Sequence, residues 1–322
     1  MPVTIKMIAK EMRLAVGTVS QGLRNDPRIA EATKRRVVQT AHEMGYVLSD
    51  FGRALKSGKS NIIGYFLIDI TKSFYADIMK GIAREATSNN YGVLFSAPLQ
   101  EYANEIAQIK YFEQKRVEGI IISGCEPETW EYLERLNKNG IPVIVCGDYT
   151  KKSNIEEVVT DDFTGGQIAA EHFINLGHQK MAYYNPEKKF NYRLNGFTDT
   201  VINTKLPSPV VCDSKDGLKK SLSQANRPTA IFAYKDLDAL EVMEIANSIG
   251  LKVPEELSVI GYDDDVYSAF KSINLTTLRQ QKNEIGKLSV VNLLKKINGE
   301  KIKTTLLKPE LIIRGSTSRK GG

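Results

Sequence analysis

From residue 61 onward the chain alternates short apolar runs with amphipathic stretches, and this alternation restricts the possible fold more than any other feature. Apolar runs suited to buried parallel strands lie at 62–68, 92–97, 119–123, 142–146, 181–184, 230–233 and 257–262. Stretches with helical spacing stand between most of them, at 76–89, 103–115, 128–138, 163–176, 192–203 and 236–249. Strands that are apolar throughout must be covered on both faces, so the pattern predicts doubly wound parallel sheets with helices on either side. Seven such strands divide more readily into two sheets than into one. A cleft between two such lobes, at the carboxyl ends of the strands, is the expected ligand site.

The first sixty residues follow a different pattern. Ile5, Ile8, Ala9 and Met12 share one helical face. After a break at Arg13-Leu14-Ala15, a second helix over 16–24 carries Val19 and Leu23 four apart. Asn25-Asp26-Pro27 signals a turn, and a third helix over 31–44 turns Val37, Val38, Ala41 and Met44 inward before Gly45 stops it. Helix, three-residue turn, helix is the outline of a helix-turn-helix. The expected fold class is therefore α/β, with an N-terminal all-α helix-turn-helix domain ahead of the two-lobed core. Residues 47–60 lack a strong apolar period and read as a linker with one short helix around 50–56, weakened by Asp50 and Gly52.

Charge is concentrated in the same segment. The net charge is +6. Residues 1–60 hold eleven Lys and Arg against five acids, whereas the rest of the chain carries 33 of each. A field this localised suits a polyanion such as DNA, because neutralised phosphates release counterions. A solvated basic arm is the alternative reading.

Several function classes are excluded. No apolar run approaches the roughly 18 residues of a membrane span, and the start Met1-Pro2-Val3-Thr4-Ile5-Lys6 lacks a signal-peptide pattern, so a cytoplasmic protein with no membrane partner is expected. Cys125, Cys146 and Cys212 are scattered and read as reduced thiols, and His42, His172 and His178 are a poor stock for zinc. No Gly-x-Gly-x-x-Gly follows a strand, and neither Gly-x-Ser-x-Gly nor a Walker loop is present. Asp263-Asp264-Asp265 cannot all face one ion unaided. Neither an enzyme nor a cofactor is expected. A solute-binding protein would share the core but needs a signal peptide and has no use for residues 1–60.

Ordered motifs add a resemblance. They run Val3-Thr4-Ile5-Lys6-Met7-Ile8-Ala9, Val16-Gly17-Thr18-Val19-Ser20, Asn25-Asp26-Pro27-Arg28-Ile29, Thr33-Lys34-Arg35-Arg36-Val37, Gly45-Tyr46 and Leu55-Lys56-Ser57-Gly58. Further along stand Phe74-Tyr75-Ala76-Asp77-Ile78, Arg193-Leu194-Asn195-Gly196-Phe197, Val259-Ile260-Gly261-Tyr262-Asp263-Asp264 and Ile313-Arg314-Gly315-Ser316-Thr317. In this order the chain resembles the lactose-repressor/galactose-repressor family of bacterial transcription regulators. The resemblance implies a headpiece (1–46), a hinge (47–60) and a core (61–322). Lobe 1 would comprise about 61–158 plus 281–306, and lobe 2 about 159–280 plus 307–322. It also implies a homodimer on a near-palindromic double-stranded operator and control by a small effector, a sugar or sugar phosphate. A non-sugar metabolite or a phosphorylated protein corepressor are the alternatives. The chain ends soon after Thr317, so no tetramer-forming tail is expected.

The second helix is expected in the major groove, presenting Ala15, Val16, Gly17, Thr18, Ser20 and Gln21. Val16 and Gly17 suit thymine methyls, and Gln21 can read adenine through N6 and N7. Core packing is the alternative for Val16. Thr4, Ser20, Arg24, Thr33, Lys34 and Arg35 suit phosphates. Leu55 matches the family's minor-groove wedge. Arg13 stands where the family turn carries glycine, and Leu48 where proline is common; the expected hinge helix forms only on DNA.

For the effector, Phe74 and Tyr75 offer an aromatic plane, Arg193 matches a family clamp, and Asp263 matches an acceptor of hydroxyl bonds. Core packing, a lobe-bracing ion pair and a helix cap are the respective alternatives. Lys235 replaces a neutral amide and either favours an anionic ligand or points to solvent. Gly147 stands where the family has aspartate, with Asp148 next, and the segment 203–228 is short for the family.

Overall fold

The first helix, α1 (Ile5–Glu11), starts where Thr4 caps it by accepting a bond from the Met7 amide. Two more follow, α2 (Val16–Leu23) and α3 (Glu31–Glu43). This computed structural model describes residues 3–46, 59–97, 104–147, 154–188 and 192–320. Ile8, Ala9, Val19, Val37 and Ala41 form the core of the helical unit. Val38 does not join them: it is 53% exposed, because the buried stripe of α3 runs 34, 37, 41 and the next residue is turned about 100° off it. Arg13 adopts φ +52°, so the left-handed turn is made by an arginine at a cost of roughly 1–2 kcal/mol. The amide of Leu14 reaches back to Ala9 O at 2.9 Å and closes it. The linker expectation, including Leu48, Asp50, Gly52 and Leu55, lies outside the described residues except at 59–60.

The chain divides into two compact units, Met1–Ser60 and Asn61–Gly322. The second holds two six-stranded sheets. Lobe 1 contains β1 (Ile62–Leu67), β2 (Gly92–Ser96), β3 (Gly119–Ser123), β4 (Val143–Gly147), β5 (Glu157–Thr160) and β11 (Thr305–Leu307), in the order β11-β5-β4-β3-β1-β2. Lobe 2 contains β6 (Met181–Tyr184), β7 (Val210–Cys212), β8 (Ala230–Ala233), β9 (Ser258–Asp263), β10 (Thr276–Arg279) and β12 (Glu310–Ile312), in the order β12-β10-β9-β8-β6-β7. Pairing is parallel throughout except between β10 and β12.

Alternate residues of one strand serve opposite faces. Ile63, Tyr65 and Leu67 of β1 meet Ile285, Val290 and Leu293 of α11 (Lys282–Ile297), while Phe66 meets Ile109 and Phe112 of α5 (Glu105–Gln114) and Leu133 of α6 (Pro127–Lys138). In lobe 2, Ile231 packs toward α9 (Lys215–Leu222) and α10 (Asp236–Ser248), and Phe232 toward α7 (Asp162–Asn175) and α8 (Tyr192–Asn203). The remaining helix, α4 (Ser73–Ser88), joins β1 to β2. The run at 92–97 is an edge strand rather than a buried one, with Phe95 exposed. Among the described residues no helix is long and apolar enough to cross a membrane. The chain passes between lobes after β5, after β10 and after β11. At these crossings Thr160 Oγ1 donates to Gln280 Oε1 at 2.6 Å and the Asp161 amide to Leu307 O at 2.9 Å.

Each lobe has one helix pair whose backbones touch. A Cβ on Gly81 of α4 would lie 2.1 Å from Asn283 O of α11, and one on Gly286 of α11 would lie 2.1 Å from Ile78 O. In lobe 2 a Cβ on Gly166 of α7 would lie 2.0 Å from Arg193 O of α8, and one on Gly196 would lie 1.9 Å from Phe163 O. Helix propensity favours alanine by about 1 kcal/mol, but overpacking against a carbonyl costs about 3 kcal/mol. Gly81→Ala and Gly196→Ala are each expected to lower stability by about 2 kcal/mol in urea unfolding. Unchanged or raised stability would show that these helices separate freely.

Candidate functional site

In the helical unit, the start of α2 is the outward feature. Ala15, Val16 and Gly17 are exposed, and Thr18, Ser20 and Gln21 half-buried. Val16, at 46% exposure, is not a core residue, whereas Val19 is fully enclosed. A Cβ on Gly17 would meet nothing within 4 Å, while one on Gly22 would lie 3.3 Å from Val37, so α2 rests close on α3 with its first turn free. Arg24 is exposed, its Nε donating to Ser20 O at 2.9 Å. Arg35 and Arg36 are exposed and Thr33 half-buried. Lys34 is otherwise engaged: it is buried, and its Nζ donates to Glu31 at 2.8 Å. Thr4 uses its hydroxyl oxygen as the α1 cap.

The second cluster gathers at the carboxyl ends of the strands in the two-lobed unit. Phe74 opens α4 half-buried, while Tyr75 is buried in the lobe 1 core, with its ring edge-on to Phe74 at 5.3 Å. Phe74 is thus the aromatic that reaches the cleft; Tyr75 supports it. A Cβ on Gly147 would lie 3.1 Å from Phe74 Cε1, which gives the glycine at that position a local reason. Asp148 lies outside the described residues.

Across from Phe74, the Arg193 guanidinium lies over the Tyr262 ring at 3.7 Å and near the Tyr234 ring at 4.8 Å. Its Nη1 donates to Tyr234 O at 2.6 Å, and its Nε lies 3.1 Å from Asp162 Oδ1 without hydrogen-bond alignment. Burial opposes its charge, but Asp162 and the surrounding oxygens outweigh that and keep it protonated. Asp162 belongs to the same lobe, so the ion pair does not brace one lobe on the other.

The three aspartates after Tyr262 diverge. Asp263, at φ +111°, accepts from Gln280 Nε2 at 2.6 Å. Asp264 holds Arg314 at 2.6 Å and Arg279 at 2.7 Å. Asp265 accepts from Ser73 Oγ at 2.8 Å and Lys282 Nζ at 3.2 Å, both in lobe 1. Lys282 also stands 5.8 Å from the Phe74 ring centroid. Asp263 does not cap a helix; the following 3-10 turn starts after Asp265. Lys235 is paired with Glu187 rather than directed to solvent. Asp265 is singled out in the sequence only as part of the Asp263-Asp264-Asp265 run, while Ser73, Gln280 and Lys282 carry no motif of their own and escape a reading by sequence. So does Asp236, fully buried, which accepts from the Asp265 amide at 2.7 Å, Ser268 Oγ at 2.7 Å and Thr277 Oγ1 at 2.5 Å.

A helix-turn-helix unit and a two-lobed receptor with a polar, aromatic-edged cleft together define a ligand-responsive transcription regulator. Residues 170–317 match the model of the periplasmic binding protein-like domain. The chain is 27% identical over 331 residues to the HTH-type transcriptional repressor PurR of Aliivibrio salmonicida, covering 98% of this chain and 99% of the relative. The lac repressor dimer bound to operator and the anti-inducer ONPF superposes with a TM-score of 0.87 over 99% of this chain and all of that one, at 24% identity. A LacI family regulator from Enterococcus faecium with bound ribose superposes at 0.67, with 28% identity, over 80% of this chain and 99% of that one. These relatives and solved structures indicate the lactose-repressor/galactose-repressor family of transcription regulators.

Three cleft carboxyls titrate high. Burial, with Asp263 nearby, lifts Asp236 to about 7. Burial, opposed by Lys235, lifts Asp238 to about 7. Burial, opposed by Arg193 and Lys282, lifts Asp263 to about 6. Each group binds its proton more tightly folded than unfolded, where the value is near 3.8, so stability falls as pH rises through the window from about 4 to about 7. Melting temperature is expected to be higher at pH 5.5 than at pH 7.5, with a shallower slope in Asp238→Asn. An equal slope in parent and variant would contradict the burial of this carboxyl.

Proposed function

We propose that the protein is a cytoplasmic, homodimeric repressor of carbohydrate-utilisation genes that binds a near-palindromic operator under the control of a small sugar-like effector. The observation that carries this reading is the free first turn of α2. Small, exposed Ala15, Val16 and Gly17 sit there beside Gln21, on the segment that holds all of the chain's excess positive charge. Such a surface can approach base edges closely while Arg24, Arg35 and Thr33 engage phosphates. Leu55, outside the described residues, is the proposed minor-groove wedge. In the other unit, Phe74 supplies an apolar plane, and Arg193 and Asp263 supply polar partners for hydroxyls. That is the combination a sugar site needs. Asp265 links lobe 2 to Ser73 and Lys282 of lobe 1, so a ligand between them biases the lobe arrangement and with it operator affinity.

Selection of duplexes from a random pool, followed by binding titrations over a salt series, tests this. Gln21→Ala should cost about 1–3 kcal/mol on the selected site and relax preference at one base pair. Arg35→Ala should weaken binding evenly on all sequences and reduce the salt slope by about one. Failure to enrich any sequence at low salt would overturn the reading.

A further inference from the structure

Among the described residues two buried polar atoms near the cleft lack a hydrogen-bond partner: Arg193 Nε, which still lies 3.1 Å from the Asp162 carboxylate, and Asp238 Oδ2, which has no opposite charge bonded to it. Asp238 lies in the first turn of α10, just beyond the carboxyl end of β8, and is only 6% exposed. Its Oδ2 has no hydrogen-bond partner. The charged groups facing it are Lys235, Glu187, Glu241 and Asp263. Lys235 is taken by Glu187. Glu241 is taken by Lys215 at 2.5 Å and by the Tyr184 hydroxyl. An acid in the first turn of a helix gains from the helix dipole, but the dipole supplies no hydrogen bond to Oδ2 and no opposite charge beside it. A buried, unpaired carboxylate oxygen opposes folding, and such groups persist in native structures where they serve a task.

The charge balance around Asp238 indicates what that task is. The cations around these groups each have a carboxylate near them: Arg193 has Asp162, Lys235 has Glu187, Lys282 has Asp265, and Arg279 and Arg314 share Asp264. Among the described residues Asp263, Asp236 and Asp238 have no ion-pair partner; Gln280 bonds Asp263 and three donors bond Asp236, whereas burial without such bonds lifts Asp238, so that a cation brought beside it would favour its charged form. An incoming phosphate or carboxylate meets carboxyl groups with no ion-pair partner, and the neighbouring cations already lie beside carboxylates. A hydroxyl would satisfy the Asp238 oxygen and leave its charge buried. An ammonium group would satisfy both.

We propose that the effector is a polyhydroxylated ligand carrying a basic amino group, and that Asp238 accepts its N–H as a specificity-determining residue. This rests on the effector-cleft reading given above. A sugar phosphate, open as an effector from the sequence alone, is disfavoured by the same charge balance.

The test uses the full-length protein and calorimetric titration with matched sets: glucosamine, galactosamine and mannosamine, each beside its parent hexose and its N-acetyl derivative, with glucosamine 6-phosphate added. At least one amino sugar is expected to bind tenfold or more tightly than its parent hexose and its N-acetyl derivative. The 6-phosphate is expected to bind more weakly than glucosamine. Asp238→Asn should erase the preference for the amine while leaving the melting temperature of the unliganded protein equal or higher; a merely structural acid would lower it. Equal or tighter binding of a hexose or the phosphate, or a preference that survives in Asp238→Asn, overturns this proposal alone. Absence of binding by every compound overturns it together with the sugar reading, whereas a loss of operator selection in the separate DNA titrations touches only the regulator reading.

Discussion

Cleft geometry in this molecule hangs on the buried carboxylate of Asp236. It gathers donors from three places: the Asp265 amide, the Ser268 hydroxyl and the Thr277 hydroxyl. These bonds tie the start of α10 to the turn after β9 and to β10. The turn is then fixed in a form that no chain adopts cheaply, with Asp263 at φ +111° and Asp264 at φ +49°. The result is a fan in which three consecutive carboxylates take three separate sets of partners. Gly261 is part of the same device, since a Cβ there would fall 2.2 Å from Asp236 Oδ1. Strain in the turn is thus held by a group far from solvent, and the polar face of the cleft is preset before any ligand arrives.

The parts of the fold that were legible in the sequence are those with uniform patterning. Strands β1, β3, β4, β6, β8 and β9 are unbroken apolar runs and were read close to their observed bounds. Five strands were missed, each short or polar. Buried Glu157 and Thr160 bound β5, two threonines open β10, and β7, β11 and β12 span three residues each. Helix α11 was missed because its buried face carries Lys282, Gly286, Ser289 and Asn292 among the apolar positions, which flattens the period. Helix α9 is short and rich in lysine.

The same division holds for the candidate site. Phe74, Arg193 and Asp263 sit in strings that a family resemblance picks out. Gln280 and Lys282 lie at a crossing between two elements that the sequence does not announce. The fate of Lys235 depends on Glu187, 48 residues away in the chain, and that is a tertiary choice. Lys34 illustrates the same limit in the helical unit: its type suits phosphate, yet its stem fills the α3 stripe and its charge meets Glu31. Residue type and spacing specify which side chains are available; packing decides which remain uncommitted.

The reciprocal glycine contacts have a mechanical consequence. Helices whose backbones touch at two points cannot slide past one another without collision, so α4 with α11, and α7 with α8, each behave as a welded strut. The two lobes are joined by three adjacent segments of chain near residues 160–161, 280–281 and 307–309. Those segments are cross-linked by the Thr160–Gln280 and Asp161–Leu307 bonds, so they turn as one axle. A ligand that displaced the cleft floor would load these three segments before it could slide either pair of struts.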